Sequence, residues 1–205
     1  MFALEPGEAG AALKALAHSL PQPKAVVVIS PHWETDAPTV TTTATPKTIH
    51  DFGGFDARLY DIQYPAPGSP EVAQWVVNAL QAAGLAAHTD ASRGLDHGAW
   101  VPLLHMFPNA QVPVVQLSIQ HHLGPAHAYR VGQALAPLAQ QGVLIMGTGS
   151  ITHNLRDWHM AHTHGHGTPA YVSAFADWMH KHTVQRDIDG LINYRRLNPH
   201  AAQAH

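Results

Sequence analysis

Val26-Val27-Val28-Ile29 is an unbroken apolar, β-branched run that stops at Ser30-Pro31-His32-Trp33-Glu34. Runs without polar alternation suit a strand buried on both faces, as in a parallel sheet covered by helices. Val112 to Ile119 and Val143 to Met146 have the same character. Thr39 to Thr43 is a shorter β-branched stretch, read as a second strand or a hairpin arm, and Leu85 to Thr89 as a further short strand. Between these lie helical segments. Pro6 to His18 is rich in Ala and Leu, with Pro6 suited to a first turn. Ser69 caps a helix that has Pro70 at its first position and Gly84 as its stop, with Trp75, Val76 and Leu80 on the apolar face. Gly98 to Phe107, Pro125 to Gln140, Tyr171 to Thr183 and Ile188 to Tyr194 complete the helical set. Strands alternating with helices predict an α/β protein, a three-layer α/β/α domain with a largely parallel, mixed central sheet. Pro46 to Pro70 breaks the pattern with a long Gly/Pro-punctuated segment, which inside a compact domain is functional or covers something.

Neither an internal repeat nor a domain linker is visible, so residues 1–205 read as a single domain. Charged residues make up only 12% of the chain, about half the usual share, while histidine reaches 18. The formal charge of -3 gives no basic field for nucleic acid. With no cysteine, disulfides, thiolate zinc sites and thiol nucleophiles are excluded. No apolar run approaches the ~20 residues that span a bilayer, and Met1-Phe2-Ala3-Leu4-Glu5-Pro6 lacks a signal-peptide pattern, so a cytoplasmic protein that contacts no membrane is expected. Low surface charge and open sheet edges favour homo-oligomers without fixing a stoichiometry.

In open α/β sheets, chemistry collects at the carboxyl ends of the strands. His32 and His153 each follow a buried strand, and His97 lies in the Gly94-Leu95-Asp96-His97-Gly98 turn before a helix. Parallel strands would point the two strand-end imidazoles into one crevice, to bind a divalent metal or to divide metal binding and proton transfer. His50-Asp51 lies in the irregular loop and is expected to line that crevice, with His50 as a substrate contact. His159, His162, His164 and His166 fit no ordered ligand motif, and their Gly-rich setting indicates a mobile loop with adventitious metal binding. His121 and His122 follow a strand, and one of the two must point away. His18, His88, His105, His127, His180 and His182 read as helix or surface residues. The Gly147-Thr148-Gly149 turn lacks the lysine of a phosphate loop, and no Gly-x-Ser-x-Gly elbow supplies a nucleophile.

Several segments occur here in the order of a known family: Ser30-Pro31-His32-Trp33-Glu34, Thr48-Ile49-His50-Asp51-Phe52-Gly53-Gly54-Phe55, Tyr64-Pro65-Ala66-Pro67-Gly68-Ser69-Pro70, Gly94-Leu95-Asp96-His97-Gly98 and His153-Asn154-Leu155-Arg156. Together they resemble the class III extradiol ring-cleavage dioxygenases, in the DOPA 4,5-dioxygenase-like branch. The resemblance implies a mononuclear Fe(II) or Zn(II) held mainly by histidines, and cleavage of a catechol-type aromatic ring beside its hydroxyls with O2. It implies that His32 is a metal ligand. It further implies that His153 moves protons or completes the metal shell, and that His97 stands near substrate and oxygen. The family's amino-terminal His-Gly-Ser-Pro strand and its last ligand histidine, beyond the equivalent of Pro199-His200, have no counterpart here. A chain truncated at both ends is therefore expected, the alternatives being a decayed copy or one in which His200 or His205 substitutes. The competing expectation is a non-catalytic protein on the same scaffold that binds metal or a partner.

Overall fold

The computed structural model describes residues 2–164 and 167–205, without the side chains of residues 161, 162 and 164. In chain order the elements are α1 (Gly7–Ser19), β1 (Ala25–Glu34), β2 (Thr39–Thr41), α2 (Pro70–Ala82), β3 (His88–Asp90), α3 (His97–Met106) and β4 (Val114–Ile119). They continue with α4 (Gly124–Leu135), β5 (Val143–Gly147), α5 (Leu155–His164), α6 (Ala170–Val184), α7 (Ile188–Ile192), α8 (Tyr194–Leu197) and α9 (Ala201–Ala204). These fall into two compact units. Met1–Leu123 with Arg130–Gly149 forms one, and Gly124–Tyr129 with Ser150–His205 the other.

The first unit is built on a five-stranded sheet of order β3-β2-β4-β1-β5. β1 runs parallel to β4 (Val26 beside Val114, Ile29 beside Leu117) and parallel to β5 (Ala25 beside Val143, Ile29 beside Gly147). β2 is parallel to β3 and meets β4 antiparallel at Val40 and Leu117, so the sheet is mixed and β2 is no hairpin arm of β1. Side chains alternate across a strand, and the Val26-Val27-Val28 run therefore feeds two cores. Val27 joins Val40, Val115, Leu117, Val72, Val76 and Leu80 of α2, and Val131 and Leu135 of α4. Val26 and Val28 join Trp100 and Leu103 of α3 together with Tyr64, Leu95 and Val114, against which Leu13 and Ala17 of α1 also pack. Helices cover both faces, which is the expected three-layer α/β arrangement.

Local chemistry sets the ends of these helices. Ser69 accepts the Val72 N–H at 3.2 Å and Pro70 opens α2, while Gly84 leaves the helix at φ +70°. At the rim, β1 extends past the expected Ile29 because the ladder shifts register between Ile29 and Glu34. Pro31 has no N–H to give, so it sits where pairing is interrupted. The irregularity exposes Pro31 and His32 while returning Trp33 to the interior. The Pro46–Pro70 segment stays irregular apart from a 3-10 turn at Ala57–Leu59 and an isolated bridge between Thr48 and Leu95.

The second unit is helical. Tyr171 and Phe175 of α6 are buried with Ala201 and Ala204 of α9, and Met179 and Tyr194 are partly buried against them. One expectation is corrected here: the chain from His159 is helical rather than a loop, since α5 continues to His164. Asn154 accepts the Asp157 N–H at 3.1 Å and caps the helix start. The Leu-Arg-Asp-Trp-His-Met run that follows contains no glycine or proline to stop it. His166 lies outside the described residues. No helix among the described residues is long and apolar enough to cross a membrane.

Candidate active site

Three elements of the sheet unit bring ionisable groups to the carboxyl end of β1. His32 comes from the interrupted tail of that strand, His97 from the first position of α3, and Asp51 from the irregular loop. Their ligand atoms all lie within 4.8 Å of one another. Asp51 Oδ1 accepts both the backbone N–H of His97 and a bond to its ring Nδ1, each at 2.9 Å. Asp51 Oδ2 lies 3.8 Å from Nδ1 of His32. The two imidazoles face each other with ring centroids 4.0 Å apart, inclined by 47°.

Burial alone would push the Asp51 carboxyl upward. The backbone N–H and ring of His97 outweigh it and hold the group below its ordinary value. Asp51 is therefore ionised at neutral pH and can only accept hydrogen bonds. It follows that Nδ1 of His97 carries a proton, which it donates to Asp51. The His32 side chain is 37% exposed, which leaves it room to take a ligand. The His32 imidazole and the free Oδ2 side of the Asp51 carboxylate are N and O donors of the kind that suit iron(II) or zinc(II), with His97 beside them, so the residues present fit the metal that the sequence implies.

What holds these groups is a buried polar network beneath them. Asp96 has no exposed surface. It accepts from Ser30 Oγ at 2.7 Å, from Arg93 Nη2 at 3.1 Å, from the Ala99 N–H at 3.2 Å and from Gln116 Nε2. A carboxylate this deep is tolerated only with such pairing. Ser30 Oγ in turn accepts the His32 N–H at 3.2 Å, and Arg93 lies 4.6 Å over the Trp33 ring while its Nη2 reaches the His32 carbonyl at 3.4 Å. Asp96 is also the cap of α3, whose first residue is His97. One buried carboxylate thus fixes the backbone at both imidazoles. Gly98 completes the fit, because a Cβ there would overlap Ser30 Oγ and approach His32 Cδ2 to 2.9 Å.

Of the residues singled out in the sequence, His32 and His97 are brought together. The loop contributes Asp51 rather than His50 to this group. His50 packs its ring against Phe52, Tyr60 and Trp100, with Nε2 2.9 Å from the Ile62 carbonyl. His153 belongs to the second unit, where its N–H donates to the Ala204 carbonyl at 2.7 Å. The neighbouring Asn154 amide donates to the Gln203 carbonyl at 2.8 Å. Sequence reasoning missed Asp96, Ser30, Arg93 and Gln116. The available signal was a carboxylate in a helix-capping position beside His97, in a chain with few charges.

Residues 10–205 match the family described as the catalytic LigB subunit of aromatic ring-opening dioxygenase. Among curated relatives, the chain is 45% identical over 192 residues to a 4,5-DOPA dioxygenase extradiol of Beta vulgaris, covering 90% of this chain and 68% of that protein. It is likewise 45% identical over 146 residues to a protein of the same name from Escherichia coli (strain K12), covering 70% of this chain and 54% of that one. The crystal structure of an uncharacterized Escherichia coli K12 protein superposes with a TM-score of 0.60 at 38% identity, covering 73% of this chain and 57% of the other. The chain thus spans between 54% and 68% of the length of these relatives. On the family match over residues 10–205 and the 45% identity to a curated relative, the chain belongs to the LigB family of aromatic ring-opening dioxygenases.

Proposed function

We propose that this protein is a metal-dependent extradiol dioxygenase that opens a catechol-type ring with O2, using a mononuclear Fe(II) or Zn(II). The observation that carries the reading is Asp51, an ionised carboxylate set between two imidazoles at the carboxyl rim of a parallel strand set. His32 is the metal ligand in this reading. A divalent metal held there would supply Lewis-acid chemistry, easing loss of a proton from a catechol hydroxyl. His97, held through Nδ1 by Asp51, presents Nε2 to receive a hydroxyl proton, and the fixed carboxylate stabilises the imidazolium that results. His153 serves as a second proton carrier or a further ligand, and His50 as a substrate contact.

The test is anaerobic loading with Fe(II), followed by air and 4-methylcatechol, with the coloured ring-opened product read by absorbance. Product that disappears in His32→Ala and in His153→Ala supports the proposal. Near-stoichiometric metal and bound catechol without product would favour a non-catalytic metal-binding protein instead.

A further inference from the structure

Next to the His97 ring lies a cavity of about 190 Å³, open to solvent on one side and walled by Phe52, Phe55, Leu59, Trp100, Val101 and Phe2, with Phe2 and Phe55 themselves exposed. Its character is set by rings. Phe52 stands perpendicular to His97 with centroids 5.5 Å apart and packs against Phe55 at 5.9 Å. The Trp100 N–H donates to the Ile49 carbonyl at 3.0 Å, so that indole brings no spare donor to the wall. Apart from His97, none of the lining residues ionises. Arg58 precedes Leu59 in the chain, but its guanidinium is held by Asp56 through bonds of 2.7 to 3.1 Å.

We propose that this cavity receives an uncharged, apolar part of the substrate, so that the preferred catechol carries an alkyl or aryl substituent rather than a charged side chain. This rests on the ring-opening reading above and narrows it to a substrate class. Size supports it, since an apolar protein cavity of roughly 150 Å³ takes up benzene. The space beside His97 therefore accommodates one ring or a short alkyl chain. Chemistry supports it too. An ammonium or carboxylate placed there would lose water and find only the His97 ring among these walls to partner it. Apolar substituents face no such penalty, and the edges and faces of Phe52 and Phe55 are suited to them.

The experiment measures binding by calorimetry without oxygen. 4-Ethylcatechol and DOPA are titrated into the metal-loaded chain, and ethylbenzene into the metal-free chain. We expect 4-ethylcatechol to bind at least about tenfold more tightly than DOPA. Ethylbenzene should bind without metal. Phe55 is half exposed on a loop, so Phe55→Lys should fold normally, and it should erase most of the preference. Val101→Thr, which keeps the shape and adds a hydroxyl, should weaken ethylbenzene and 4-ethylcatechol and leave DOPA binding unchanged. DOPA binding as tightly as 4-ethylcatechol, or an unchanged preference in Phe55→Lys, would overturn the inference. The two readings fail separately: ethylbenzene uptake without catechol turnover sinks only the ring-opening step, whereas turnover that favours DOPA sinks only the cavity assignment.

Discussion

The same atom pair occurs in both units with different consequences. In the sheet unit Asp51 bonds Nδ1 of His97 at 2.9 Å, and in the helical unit Asp187 bonds Nδ1 of His182 at 2.7 Å. Both carboxyls lie below their ordinary value: Asp187 chiefly through the Gly190 N–H and His182, Asp51 through His97 against the opposing effect of burial. Yet Asp187 is a neighbour of His182 in sequence and caps α7 through Gly190, with the imidazole stacked 3.9 Å from Trp178. That pair closes a turn. Asp51 reaches 46 residues along the chain, faces a second imidazole, and stands over a buried network that fixes both partners. A bonded His–carboxylate pair is therefore not enough to mark a site. Convergence of distant segments on rigid support is what separates the two.

The comparison is broken most forcefully at Asp96. Asp96→Ala strips the partners from Arg93, Gln116 and Ser30 together, and loss of one member of a buried ion pair costs about 3–5 kcal/mol. Urea denaturation should show a loss of that size, whereas Asp187→Ala should cost clearly less because its pair is only part-buried. Gly98→Ala comes next. Its Cβ meets Ser30 Oγ and the His32 ring, and overpacking of this kind costs roughly 1–3 kcal/mol. Metal affinity should fall with it, while Gly53→Ala, in open space, should leave both unchanged.

The smallest effect lies in acid. A carboxyl with a lowered folded pKa contributes stability above its unfolded value of about 3.9, and that contribution is lost as pH falls through the lower folded value. Asp51→Asn and Asp187→Asn should each flatten the acid limb of a stability–pH curve measured below about pH 4. Only Asp51→Asn should also weaken metal binding, by about 10- to 100-fold, as expected when a group that orients a ligand is lost.

Much of the sheet unit was legible because its signals are local or periodic. The Val26–Ile29 and Val112–Ile119 runs announced strands buried on both faces, and Ser69-Pro70 announced a helix start. Placing His32 at a strand end already located the rim. What escaped was set by long-range pairing. Register slips after Ile29, and nothing in Pro31-His32-Trp33 alone says that the strand resumes at Glu34. The choice of Asp51 over His50 depends on which of two adjacent side chains turns toward α3, and adjacent residues of an extended loop point apart. Asp96 passed as one residue of a turn because its partners come from positions 30, 93 and 116, which meet only after the sheet has formed. In the helical unit, glycine and histidine content suggested a loop where the Asn154 cap and a run free of glycine and proline prevailed.

The central claim is that His32, supported from beneath by Asp96, holds one metal ion beside the Asp51–His97 pair. Anaerobic titration of Fe(II), repeated with Zn(II), tests it most directly when run on the native chain, His32→Ala and His182→Ala. The account predicts near-stoichiometric tight binding in the native chain and in His182→Ala, with that binding lost in His32→Ala. Equal metal uptake by all three would contradict it.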